Sequence, residues 1–526
     1  MTKRPATGKS NLYHVVSLTG LLGLVRLAGL IQQQMIAYYF GTSAIGDAFN
    51  LALTVPSILV TLLGVPLSNA LMPFFSSCQA AGRKQEGWDL WRASAAGITF
   101  ISAIISVVGF AASGPLVELL GHGMDAETQR IAVSMSRAVF ATLSMLVAAQ
   151  LMKVPLNANQ DFLTPAYALL AQNVVTNIVL LWTPEIGSSS LSTGFFVGAV
   201  ALFGLQWWAL LRRNIWEPGS WRGPASGMRQ VVLITLPLVL SGALSYGPTV
   251  LERYLASGLP VGSIAALTYA DKVRQLPVGL FALALSTVLY PQLTRHSAQK
   301  DAAALSRTAV RGFRLILFVT LPIVAGAMVE AFTIVRILFE RGAFSAVSTT
   351  TTAGALLFYL PGILGLSVSG FVGYVFYALR DTLTPLYTLT FASIAYVVSA
   401  YPLSRLFGLP GLALANTMSV SVAGGLMVWT LARRVPEFRV LLRTVPIHLF
   451  SLGTVLYGGA AWAMARWVSS LPTGVRLHRD LLEMGLSTCA GLVVYLLVLY
   501  HFRLEEVSSF VKTAKFALQR ATKPGE

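Results

Sequence analysis

Long apolar runs alternate with short polar stretches along nearly the whole chain. In the first half they cover roughly 13–40, 44–76, 93–120, 131–152, 163–183 and 191–211. In the second they cover roughly 230–257, 263–293, 309–338, 350–378, 383–404, 410–432, 445–468 and 481–502. A helix needs about 20 apolar residues to cross a bilayer, so the pattern predicts an all-α integral membrane protein with about 14 transmembrane helices. The longer runs must tilt, kink or project. Pro56, Pro66 and Pro73 lie inside the second run, where each removes a backbone donor and bends the helix.

An internal repeat divides the chain. Asp161-Phe-Leu-Thr-Pro165-Ala-Tyr-Ala-Leu169 returns as Asp381-Thr-Leu-Thr-Pro385-Leu-Tyr-Thr-Leu389, identical at six of nine positions and 220 residues further on. Pro73 and Pro291 repeat at nearly the same spacing. Two lobes of six helices, each entering the membrane in the same sense, follow as a parallel repeat, with two further helices at the C-terminal end. The expected divisions are an N-lobe over 1–212, a linker over 213–229 and a C-lobe over 230–435. The last two helices fall in 436–504, and an amphipathic tail over 505–526 presents Val507, Phe510, Val511, Ala514 and Leu518 opposite its lysines. Asp161 and Asp381 stand just before Pro165 and Pro385, where an acid favours the positive end of a helix dipole. Capping is the reading for both acids.

Composition agrees with a bilayer as solvent: 55% of residues are hydrophobic and 11% charged, against about 25% charged in soluble domains. The net charge of +17 does not indicate nucleic acid, because the basic residues sit in short clusters between apolar runs and no nucleic-acid motif appears. Placing both termini in the cytoplasm puts most of the Lys and Arg residues on the inner side, as in Arg83, Lys84 and Arg92, in Arg307, Arg311 and Arg314, and in Arg433, Arg434, Arg439 and Arg443. The localisation expected is a bacterial inner membrane, multi-pass. Cys78 and Cys489 read as buried small apolar residues, the six histidines are scattered, and no metal or cofactor motif occurs. Without long outer loops carrying catalytic acids, the chain reads as a transporter and not as an enzyme.

Charges at bilayer depth are costly and mark partners or pathways. Arg26 lies within the first apolar run, followed by Gln32, Gln33 and Gln34. Asp47 opens the second, Glu252 and Arg253 close the seventh, and Asp271, Lys272 and Arg274 lie inside the eighth. One reading makes these structural ion pairs, such as Arg26 with Asp47. The other makes Arg26, Asp47, Arg253 and Lys272 the lining of a basic cavity for an anionic head group, since a guanidinium fork suits phosphate.

Phe376-Tyr-Ala-Leu-Arg-Asp-Thr-Leu-Thr-Pro385, Leu338-Phe-Glu-Arg-Gly-Ala-Phe344 and the stretches Arg253 to Ser263 and Tyr269 to Pro277 resemble the MurJ/MviN family. Gly411 to Ala415 and Asn157 to Pro165 fit as well, and the resemblance runs over roughly 15–435. It implies the fold of the MOP superfamily and a flippase that moves lipid II, an undecaprenyl-pyrophosphate-linked precursor, from inner to outer leaflet by alternating access. Peptidoglycan biosynthesis and cell shape are the processes implied. A cationic central cavity and a groove for the lipid tail beside the last two helices are also implied. Arg26, Gly29 and Asp47 match the family pattern and join Gln32, Arg253 and Lys272 as the substrate-binding set. Gln32 stands where an arginine is usual, Val60 and Thr61 replace an arginine pair, and Lys272 replaces another. The eleventh helix carries no carboxylate for a sodium site. Transport is expected to run on membrane potential or an ion gradient, by a monomer without cofactor, with membrane lipids and a lipid-linked saccharide pyrophosphate as partners. The alternatives are an exporter of another lipid-linked glycan or amphiphile, and a membrane glycan polymerase or ligase.

Overall fold

The computed structural model describes residues 8–182, 187–213, 215–216, 228–470, 476–504 and 506–507. Among the described residues every regular element is an α-helix. The first eight are α1 (Gly8–Phe40), α2 (Ala44–Ala80), α3 (Lys84–Ala111), α4 (Ser113–Leu120), α5 (Ala126–Ala158), α6 (Leu163–Trp182), α7 (Ser188–Arg212) and α8 (Met228–Ser257). Then come α9 (Ser263–Ala298), α10 (Ala302–Val329), α11 (Ala331–Phe339), α12 (Ala346–Tyr359), α13 (Gly362–Ala378), α14 (Leu383–Phe407) and α15 (Leu409–Arg434). The chain ends in α16 (Pro436–Leu442), α17 (Ile447–Ser469) and α18 (Arg476–His501). Eleven described helices are long and apolar enough to cross a membrane, or up to twelve with α12 and α13 taken as one bent span. The protein is a multi-pass membrane protein. α1 and α9 are as long, but carry Arg26 with three glutamines, and Asp271, Lys272 and Arg274, within their runs.

Besides the bent pair α12 and α13, two of the expected single spans are broken. The run 93–120 divides into α3 and α4 at Ala112, and 309–338 divides into α10 and α11 at Glu330. The breaks occupy equivalent positions 218 residues apart, with the Ala112 amide bonded to the Val108 carbonyl and the Glu330 amide to the Gly326 carbonyl. Other backbone features repeat at 218 to 221 residues. Left-handed conformations occur at Gly82 (φ 74°) and Lys300 (φ 55°), at Gln160 (φ 61°) and Arg380 (φ 59°), and at Gly187 (φ 64°) and Gly408 (φ 62°). The first two pairs are C-caps in which the following residue bonds back five positions: Arg83 to the Cys78 carbonyl, Asp301 to His296, Asp161 to Leu156 and Asp381 to Phe376, at 2.9–3.0 Å. The repeat seen in nine residues of sequence therefore extends through the backbone of both halves.

The chain forms two compact units. The first comprises Met1–Ala265 with Arg341–Phe344, and the second Ala266–Glu340 with Ser345–Glu526. α8 thus belongs with the first unit, where it packs on α2 and α4, although the sequence repeat groups it with the helices after it. The core of the first unit contains Leu67, Leu71, Phe75, Trp88, Trp91 and Leu151. Trp216, at the start of the expected linker, packs its ring 5.0–5.8 Å from Trp88, Trp91 and Trp207. The rest of that linker, apart from 213, 215, 228 and 229, lies outside the described residues, as do Lys3, Arg4 and the tail beyond 507. The second unit is built around Phe313, Phe371, Phe376, Phe438, Phe450 and Tyr495. Cys78 is buried as expected, but Cys489 is exposed. It lies off the face on which α18 buries Asp480, Ser487, Gly491, Tyr495 and Leu499.

Candidate functional site

In the first unit, α1 is held against α6 by two amides one turn apart on α6. Asn173 Nδ2 donates to the Val25 carbonyl at 3.3 Å and Asn177 Nδ2 to the Ala28 carbonyl at 3.2 Å. Asparagine pairs of this kind act as polar glue between membrane helices. Uncharged, they stand out less in the sequence than the buried charges do, though two asparagines spaced four apart in an apolar helix are a readable signal. The exposed large apolar residues of α1, Leu24, Leu27, Ile31 and Tyr38, fall in one narrow stripe at 3.6 residues per turn. Arg26 and Gln33 share a different face, away from that stripe and from the one that meets α6.

Arg26 is exposed. No carboxylate among the described residues stands within ion-pair distance of it. Gly29 has room beside it, with Asn173 Nδ2 4.0 Å from where a Cβ would lie. Gln32 is half-buried, seven residues on from Val25 and so on the α6 side of α1. Val60 packs against the cluster of Phe140, Leu143 and Val147. Thr61 donates its hydroxyl to the Ser57 carbonyl at 2.9 Å. Val60 is thus packed in an apolar cluster and Thr61 is bonded within its own helix, where the family resemblance implied two cations. In α2, Pro56 is buried, Pro66 half-buried and Pro73 exposed, all within one assigned helix.

Asp47 does not pair with Arg26. It is 5% exposed, and its carboxylate accepts from the Gly262 amide at 2.6 Å and the Ala265 amide at 2.7 Å. A carboxylate here meets the unpaired donors and positive dipole end of α9. Arg253 lies at the same junction, donating to the Ile264 carbonyl at 3.3 Å, with Glu252 3.9 Å away. Gly262 has φ 92°, and a Cβ there would stand 2.2 Å from the Thr42 carbonyl oxygen. Only glycine allows that approach. Asp47, Arg253 and Gly262 therefore knit the α1–α2 turn, the end of α8 and the start of α9, all within the first unit.

In the second unit, α9 separates two cations. Arg274 is buried and fully engaged: it pairs with Asp271, donates to Asn416 Oδ1 at 2.7 Å and lies 4.7 Å over the Tyr359 ring. Lys272 is exposed, with no partner among the described residues. Arg26 and Lys272 are thus the cations of the expected set that are left available, while Asp47 and Arg253 are held in structure.

Asp161 and Asp381 cap α6 and α14. Asp161 accepts from the Thr164 amide at 3.1 Å, and Asp381 from the Leu383 and Thr384 amides at 3.0 Å and the Thr384 hydroxyl at 2.6 Å. Each also pairs with an arginine at the end of a later helix, Arg213 after α7 and Arg434 at the end of α15. Burial pushes the Asp381 carboxyl up, but the Thr384 hydrogen bonds and Arg434 outweigh it and hold it below the usual carboxylate range. Pro165 and Pro385 occupy the first turns of the capped helices, where a missing N–H costs nothing.

A family profile described as lipid II flippase MurJ matches residues 36–475. The chain belongs to that family. A probable lipid II flippase MurJ of Vibrio cholerae is 25% identical over 472 residues, covering 84% of this chain and 88% of its own. A solved structure described as lipid II flippase MurJ in an inward closed conformation superposes with a TM-score of 0.77 at 20% identity, over 93% of this chain and 98% of that one. An inward-facing MATE-family multidrug resistance transporter of the MOP superfamily superposes with a TM-score of 0.63 at 17% identity, over 80% and 96%. These two structures share the fold. The MurJ family match also makes the chain a transporter, setting aside the polymerase or ligase alternative.

Proposed function

We propose that this protein flips lipid II from the inner to the outer leaflet of the bacterial inner membrane by alternating access. The observation that carries the reading is the family match over residues 36–475, which takes in both halves of the repeat. The exposed cations Arg26 and Lys272 support it, since each is an available partner for a pyrophosphate in helices that are otherwise apolar. The two lobes of the repeat move against each other, Pro56, Pro66 and Pro73 give α2 its bends, and the termini are cytoplasmic. The protein acts as a monomer, driven by membrane potential or an ion gradient. The test is expression in cells depleted of their own lipid II flippase. Restored growth and restored exposure of lipid II on the outer face are expected; lysis at normal protein levels would reject the reading. A second cargo, another lipid-linked glycan, is favoured by one observation: Gln32, Val60 and Thr61 stand where the family resemblance implied arginines. Cells that accumulate a different lipid-linked saccharide when the gene is removed would establish that cargo.

A further inference from the structure

The second unit holds a carboxylate that the functions above do not use. Glu330 forms the break between α10 and α11, is 2% exposed, and lines a cavity of about 440 Å³ between α10, α11, α17 and α18. The lining is almost entirely apolar, with Phe318, Pro322, Ile334 and Leu496 along its length and Tyr457 and Thr488 near the acid. Ser487 donates its hydroxyl to Glu330 Oε1 at 2.5 Å. Oε2 is buried and has no partner among the described residues.

The backbone does not call for this acid. The equivalent break in the first unit forms at Ala112 with the same carbonyl bond back four residues. Attachment of α18 does not call for it either, because one oxygen accepts the Ser487 bond and a neutral side chain would accept it as well. A buried polar atom left without a partner is costly and needs an explanation. The arginines nearby are engaged elsewhere: Arg336 with Asp480 at 2.8 Å, Arg476 with Glu340 at 3.5 Å and Arg479 with the Ser469 carbonyl. Glu483 also lies beside Glu330, so the acid has a second carboxylate for a neighbour.

We propose that this cavity binds a cationic amphiphile, with its ammonium head on Glu330 and its aliphatic body along Phe318, Pro322 and Leu496. An ammonium supplies the charge and the donor that Oε2 lacks, and charge-assisted hydrogen bonds of this kind are the strong ones. The site lies wholly within the second unit and does not depend on lipid II being the transported cargo.

The probe is radiolabelled decylammonium, measured by equilibrium binding to the full-length protein in phosphatidylcholine nanodiscs, with empty nanodiscs subtracted. Saturable binding to one site is expected, weakened about tenfold or more by Glu330→Gln, which keeps the acceptor for Ser487. Decanol, of equal chain length without the charge, is expected to show no saturable binding. A second variant, Leu496→Trp, fills the cavity and leaves the acid intact; it too is expected to lose binding. The proposal is overturned if the folded wild-type protein shows no saturable binding, if decanol binds as tightly as decylammonium, or if either variant binds as tightly as the wild type.

Discussion

Arg26 and Asp47 show how differently two charges of one sequence pattern can be used. Asp47 gives both oxygens to backbone amides 215 and 218 residues away, a partner that no local pattern could reveal. Arg26 stays exposed, without a carboxylate beside it among the described residues. Its charge was legible in the sequence, and its availability was not. If Arg26 holds a pyrophosphate, its loss removes a charge-assisted contact of about 1.5–3 kcal/mol, or about tenfold to hundredfold in affinity. Arg26→Ala is therefore expected to abolish lipid II flipping at matched protein levels, and Arg26→Lys to restore it only in part, because lysine lacks the fork. An assay of lipid II exposure in cells relying on this protein checks it, and undiminished flipping by Arg26→Ala would remove Arg26 from the mechanism. Asp381 gives a prediction of a different kind. Its carboxyl is held below the usual range, so its contribution is present above the unfolded value of about 3.9 and is lost as pH falls through the lower folded value. Asp381→Ala should cost about 1 kcal/mol at neutral pH, chiefly from the lost cap. Thermal unfolding in detergent should show the gap between variant and wild type closing once the pH drops below the carboxylate range.

At the scale of elements, the apolar runs matched the eleven to twelve described helices long and apolar enough to cross a membrane but could not show how runs are subdivided. α5 is one helix from Ala126 to Ala158, while its counterpart over 346–378 is broken into α12 and α13 with a bend of 44°. Ala141 stands in the first half where Pro361 stands in the second, and a proline there removes a helix bond and clashes with the preceding turn. The bend is joined by close packing of α13 on α15. A Cβ on Gly365 would lie 2.7 Å from the Val420 carbonyl, and one on Gly424 3.0 Å from the Gly365 oxygen. Small residues let membrane helices approach in this way, yet in a sequence with 45 glycines nothing marks these two. Gly365→Ala is expected to force the helices apart at a cost of about 1–3 kcal/mol. A lower unfolding temperature of the purified protein would report it, and an unchanged one would show that the contact relaxes freely.

For the whole molecule, the repeat was the strongest signal the sequence held, and it is expressed in the backbone at positions with no side-chain identity. Gln160 and Arg380 share a left-handed conformation although one is neutral and the other basic, and Lys300 does in the second half what Gly82 does in the first. What the repeat could not convey was grouping: α8 clusters with the first unit because it packs on α2 and α4, contacts that a linear comparison does not contain. The orientation of the chain in the bilayer is the remaining global quantity, and the repeat makes it testable with two residues. With six spans expected between equivalent positions, the proposed orientation puts Gln160 and Arg380 on one side of the membrane, and the excess of Lys and Arg expected in the loops there argues for the cytoplasmic side. Cysteines placed at 160 and 380, in a chain with Cys78 and Cys489 replaced by serine, should both resist a membrane-impermeant thiol reagent added to intact cells. Both should react once the membrane is opened. Labelling of one position but not the other from outside would overturn the parallel arrangement. Labelling of both would keep the repeat and invert the orientation.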